Sequence, residues 1–149
     1  MKAAFAIVVF LVACSLVTIS VCSPETLSKN SFLDGFINHE ILNIIALIVT
    51  VTLVSITQIH IEFGRIERRI KEPIFSEART EINQTTWALG VSFLLVLVGL
   101  IIRSGVDQNS YMAISLHNTF CLVMLLIATL SMIDIVLVMH TISKEEPLD

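Results

Sequence analysis

Apolar residues dominate four long runs of this chain, at about 3–22, 41–61, 87–102 and 113–139, and of the charged residues only Asp134 lies within a run. A helix needs ~20 mostly apolar residues to cross ~30 Å of hydrocarbon. The third run is short by that measure, but Thr85 and Thr86 extend it into an interface where Trp87 is a good anchor. The pattern predicts an all-α integral membrane protein, a four-helix bundle that forms a single membrane domain over residues 1–149. The first run also has the form of a signal peptide, with Lys2 ahead of an apolar stretch. The bundle has three helices if residues 1–22 are cleaved. No Ala-x-Ala site is present, and Ala6, Ala13 and Ser20 recur every seven residues as a seam that another helix could approach closely. Both features favour retention.

The interval after Cys22 opens with Ser23-Pro24-Glu25-Thr26, a stop followed by a turn or a new helix start. Phe32, Leu33, Phe36 and Ile37 then recur at helical spacing, which predicts a short interfacial helix leading into the second span. That span does not stop at Ile61. The spacing predicts one helix from His39 to Glu72, 34 residues or ~51 Å long, broken by Pro73. Its apolar stripe Phe63, Ile66 and Ile70 can face a second stripe, Phe75, Ala78 and Ile82, across a tight turn. Residues 62–86 are therefore expected to form a helical hairpin, with Glu67–Lys71 and Arg68–Glu72 as i,i+4 pairs on its first arm.

Polar residues inside the spans mark candidate interior faces. Asn43, Thr50, Thr57 and Gly64 fall seven apart and are expected to face inward, since side-chain hydrogen bonds and close approach drive helix association in lipid. Asp134 lies in the fourth run. An acid there either faces the bundle interior as a functional group or sits at the interface, paired with Arg65 or His60.

Lys and Arg set the threading. With four spans, Lys2, Arg65, Arg68, Arg69, Lys71, Arg79 and Lys144 share one side, and only Lys29 and Arg103 lie on the other. The positive-inside rule places both termini and the hairpin in the cytoplasm of a multi-pass membrane protein. On that side the Asn83-Gln84-Thr85 sequon is inert.

Composition narrows the function. Only 15% of residues are charged, against roughly 25% in soluble domains, and the spans leave no room for a water-facing globular core. No P-loop, HExxH, nucleophile elbow, dinucleotide fingerprint or CxxC is present. The odd set Cys14, Cys22 and Cys121 is no disulfide framework. His39 and His117 open two spans and His60 and His140 close them, an arrangement that suggests haem. However, 21 and 23 residues separate the members of each span, ~32 to 35 Å along a helix, which puts every ring at a water boundary. His117 and Cys121, one turn apart, with Cys22, His39 and Glu40 at similar depth, are chemically suitable metal ligands, but nothing in their spacing makes them converge, and no cofactor is expected.

The expected function is that of a non-enzymatic membrane protein. It would self-associate as a homo-oligomer in the lipid bilayer, as a scaffold or partner-binding subunit. Arg65, Arg68, Arg69 and Lys71 would meet a cytoplasmic protein or anionic lipid, and no nucleic acid is involved. A pore-forming subunit lined by Asp134 and the Asn43/Thr50/Thr57 face is the alternative, and a haem- or metal-binding electron carrier the second.

Overall fold

A computed structural model describes residues 2–103, 105 and 110–145. The helices run in the order α1 (Lys2–Cys22), α2 (Pro24–Ser28), α3 (Ser31–Phe36), α4 (His39–Ile70), α5 (Ser76–Arg103) and α6 (Tyr111–Glu145), and no strand occurs among the described residues. Four of them, α1, α4, α5 and α6, are long and apolar enough to cross a membrane. The polar turn expected at 104–110 and the tail beyond 145 fall largely outside the described residues.

The last helix is the centre of the packing. α6 lies against α1, α2, α4 and α5; α4 and α5 also pack together, whereas α1 rests on α6 and α2. One buried cluster, with Ile37, Ile41, Ile45, Leu89, Val96, Cys121 and Ala128, fills the end nearer α2 and α3. A second, Ile56, Ile59, Phe63, Ile82 and Ile135, fills the other end. Gly99 brings α5 close to α6, because a Cβ there would stand 3.0 Å from a ring carbon of Phe120.

The face of α4 that packs inward is not the polar one. Its buried residues are Ile41, Ile45, Thr52, Ile56, Ile59 and Phe63, spaced by three, four and seven as one helical ridge. Asn43, Thr50 and Thr57 are exposed on the opposite side. The threonines do not need the interior, because Thr50 and Thr57 donate to the carbonyls of Ala46 and Leu53 at 2.8 and 2.9 Å. Large isoleucine and phenylalanine side chains make most of the inward contacts; Thr52, whose hydroxyl is likewise satisfied by the Ile48 carbonyl at 2.7 Å, is the small residue among them.

On α1 the seven-residue seam is only partly used. Ser20 is buried and Ala13 half-buried, but Ala6, Phe10 and Val17 are exposed. The half-buried residues Phe5, Val9, Ala13 and Leu16 lead into Ser20 at spacings of three and four, and this is the face laid on α6.

The first linker folds as two short helices over one end of the long ones. Asn30 caps α3 by accepting from the Phe32 and Leu33 amides at 3.0 and 3.2 Å, as N-cap asparagines do. Leu27, Leu33 and Ile37 are buried beneath, and Phe32 stays outside, stacked on Phe36 at 5.5 Å between centroids. Lys29 bonds Glu25 at 2.7 Å and lies over the Tyr111 ring. The Glu25 hydrogen bond, with a further electrostatic contribution from Tyr111, raises the Lys29 ammonium above the ordinary lysine range.

The second long helix ends two residues before the expected Glu72. Lys71 takes the left-handed conformation at φ 63°, and its amide donates to the Glu67 carbonyl at 2.8 Å. Pro73 disfavours helical angles at Glu72, so the helix terminates one step earlier through this left-handed cap. The resulting helix of 32 residues is ~48 Å long.

Candidate functional site

The hairpin at the end of α4 is built around two aromatic rings. Phe63 continues the buried ridge of α4 beyond the apolar run and stacks on Phe75 with centroids 4.2 Å apart. One turn further on, Glu67 reaches across the bend. One carboxylate oxygen accepts the Phe75 amide at 3.2 Å and the other accepts Arg79 at 2.8 Å. The Phe75 amide lies just ahead of α5, where helix amides lack intrahelical partners, so Glu67 caps the next helix from its neighbour. Arg79 extends over the Phe63 ring, 5.9 Å from its centroid.

This arrangement displaces the expected pairs. Glu67 is used by Phe75 and Arg79 rather than Lys71, and Arg68 donates its Nε to the Gly64 carbonyl at 3.0 Å rather than pairing with Glu72. Ile70, expected in the apolar stripe, is exposed, and Ile66 is half-buried. Residues 62–86 carry five basic and five acidic side chains, so the hairpin has no net charge. Position matters more than sum. Glu62 pairs with Arg65 at 3.0 Å and Glu67 with Arg79, which leaves Arg68, Arg69 and Lys71 exposed on the α4 arm beside the likewise exposed Glu72 and Glu77.

Asp134 of α6 lies at the same end of the long helices, beside Ala78, Ile82 and Ile135. Among the described residues it pairs with neither Arg65 nor His60. It lines a cleft of about 280 Å³ with Phe5, Ala6 and Val9 of α1, Gln84, Thr85 and Ala88 of α5, and Ile127, Leu130 and Ser131 of its own helix. A second space of about 40 Å³ adjoins it, sharing Thr85 and Asp134 and lined also by Glu81 and Val138.

The opposite end holds a buried polar seam that sequence reasoning missed. Ser20 of α1 meets Thr119 of α6 hydroxyl to hydroxyl at 2.6 Å, and the Ser115 hydroxyl donates to Ser20 at 3.0 Å. Asn118 donates from Nδ2 to the Leu27 carbonyl at 2.9 Å, while its Oδ1 and the Ser28 hydroxyl are buried without a partner among the described residues. Ser115 and Thr119 are one turn apart, and Asn118 lies beside them, in an otherwise apolar run; that clustering was the available signal. Arg103, counted only for topology in the sequence, donates to the Ile37 carbonyl and to Asp34, the latter at 2.6 Å.

The metal candidates are placed apart. His117 Nε2 lies 3.6 Å from Cys121 Sγ, but His39 is exposed on the first turn of α4 and Cys22 is exposed at the end of α1. No three His, Cys, Asp or Glu side chains gather as a metal-binding group among the described residues. No protein family, curated protein or solved structure matches the chain.

Proposed function

We propose that the chain is a non-enzymatic membrane subunit that associates with further copies of itself and holds its hairpin out to a cytoplasmic partner. The observation that carries this reading is the hairpin knot of Phe63, Phe75, Glu67 and Arg79, which fixes the bend while leaving Arg68, Arg69 and Lys71 outward. Outward Arg68, Arg69 and Lys71 on the α4 arm suit an acidic protein surface or anionic headgroups.

The exposed face of α4 supports the self-association. Asn43, Leu47, Thr50, Val54, Thr57 and Ile61 are all exposed, at alternating steps of four and three. That is a heptad seam diametrically opposite the buried ridge. Two parallel copies would bring each of these residues to its own counterpart at one depth, so an Asn43 amide meets both a donor and an acceptor. The same polar stripe supports a second reading, a pore lined by several copies, which flux from liposomes would distinguish.

Two experiments test the proposal. Reporter fusions after Arg79 and Asp149 should report cytoplasm, and one after Asp107 the outside; an external signal at Arg79 overturns the threading. Charge reversal with Arg68→Glu and Arg69→Glu should leave protein level and oligomer size unchanged, since exposed pairs contribute only ~0.2 to 1 kcal/mol each. The double variant should lose cross-linked cytoplasmic partners and binding to anionic vesicles. Wild-type behaviour in both assays would end the case for a hairpin partner.

A further inference from the structure

The exposed stripe of α4 does not end with the apolar run. Continued at the same steps of three and four, it passes from Ile61 to Gly64 and on to Arg68, opposite the buried ridge that ends at Phe63. A Cβ at Gly64 would meet nothing within 4 Å. The chain's own packing therefore has no use for a residue that weakens helices, whereas a second helix approaching along the stripe does. Arg68 shares this face. Its Nε donates to the Gly64 carbonyl at 3.0 Å, and the side chain is exposed.

Copies threaded the same way meet in parallel, and a two-fold pair brings each residue of the stripe to its own counterpart. Arg68 then meets Arg68. Arg65 and Glu62 flank the contact as an ion pair, Glu67 is engaged by Arg79, and Glu72 and Glu77 lie exposed farther along the hairpin. A stripe that favours pairing inside the bilayer thus ends in two like charges that oppose it. Charge reversal at residue 68 exchanges one repulsion for another, which is why oligomer size without an added anion should stay unchanged in that variant.

We infer that a polyphosphate seated between the two Arg68 side chains couples anion binding to self-association, so that each promotes the other. This rests on the self-association proposed above and names what the cationic arm binds. Guanidinium forks match phosphate oxygens bidentately, and Lys71 adds a second cation from each copy. Symmetry selects the class. A compact ion with phosphates on both sides serves two identical guanidinium groups at once, whereas an acidic peptide runs in one direction across them. Arg68 lies seven residues beyond Ile61, ~10 Å along the helix, at the outer edge of a headgroup layer ~5 to 7 Å deep. Both a multiply phosphorylated headgroup and a soluble polyphosphate can reach it.

The experiment reconstitutes full-length protein, tagged at the C-terminus with a donor or an acceptor fluorophore, in neutral phosphatidylcholine liposomes. Energy transfer is followed as lipid dilutes the protein. Tripolyphosphate, equilibrated across the bilayer, should lower the protein-to-lipid ratio at half-association roughly tenfold, the scale of ordinary coupling between sites. Orthophosphate at the same ionic strength should not. Arg68→Gln should abolish the response. Arg69→Gln, about a quarter-turn round the helix and off the stripe, should weaken it less. Gly64→Leu should stay folded, by circular dichroism and thermal unfolding, and lose association with or without the anion. Phosphatidylinositol bisphosphate in the liposomes separates the sources: tighter association with the lipid alone assigns the anion to a headgroup, and with tripolyphosphate alone to solution. Association that responds to neither anion would overturn the inference and leave the self-association standing. No energy transfer at any dilution, with or without anion, would overturn both. Equal losses in Arg68→Gln and Arg69→Gln, or normal association of folded Gly64→Leu, would overturn the placement on the stripe. An equal gain from hexa-aspartate would overturn the assignment to phosphate.

Discussion

Replacing Phe63 with alanine should open the hairpin and lower the stability of that end of the molecule by ~3 to 5 kcal/mol, the usual cost of removing a buried aromatic ring. Phe63 is 1% exposed, and three contacts depend on it. Its ridge neighbours Ile56 and Ile59 pack below it, Phe75 stacks upon it, and Arg79 covers it while bonding Glu67. Loss of the ring leaves Phe75 without its stacking partner and frees the start of α5. Spin labels at the exposed positions 69 and 77 measure the separation of the arms. A broadened and longer distance distribution is expected in Phe63→Ala, together with a lower melting temperature. Ile70→Ala is the control. Ile70 is 51% exposed, so its truncation should change stability by no more than ~0.5 kcal/mol. An unchanged distance distribution in Phe63→Ala would show that the stack does not hold the arms.

Arg103→Ala should release α3 from the end of α5 at a cost of about 2 kcal/mol. The guanidinium makes two bonds of unequal value. Asp34 is largely exposed, and such a pair contributes only ~0.2 to 1 kcal/mol. The Ile37 carbonyl belongs to a fully buried residue, and a hydrogen bond to a charged group contributes ~1.5 to 3 kcal/mol. Hydrogen exchange locates the effect: the Leu33 and Ile37 amides, which lie in and just after α3, should exchange faster in Arg103→Ala and only slightly faster in Asp34→Ala. Equal acceleration in the two variants would assign the stabilisation to the ion pair instead of the carbonyl.

The spans and the hairpin were legible because both depend on local periodicity. Apolar runs longer than ~18 residues have few alternatives to a spanning helix, and Pro73 marks the bend for a stereochemical reason that needs no tertiary information. The inward face of α4 was not legible. Thr50 and Thr57 satisfy their hydroxyls within their own turns, so their period of seven says that one face is distinctive but not what it meets. Glu67 was assigned to Lys71 by spacing, but the left-handed conformation of Lys71 takes that side chain off the helix, and the carboxylate turns to Phe75 and Arg79. The candidate site divides in the same way. Arg65, Arg68, Arg69 and Lys71 are exposed, as a charge run after an apolar helix suggests. The cleft at Asp134 combines residues of three helices that lie far apart in the chain, which a single sequence cannot bring together.

The position of α6 has a consequence for how the protein is made. Ribosomes deliver ~5 to 20 residues per second, so roughly 120 residues and ~6 to 25 s separate the end of α1 from the end of α6. Until the start of α6 is made, α1 has neither Ser115 nor Thr119 to meet Ser20, and its main completed neighbour is the five-residue α2. If α1 stays in a bilayer, it would wait there with α2 alone, held by its own hydrophobicity, until α6 arrives. A nascent chain stalled before Tyr111 would carry an unassembled α1 available to quality-control proteases, whereas one stalled after residue 140 would not.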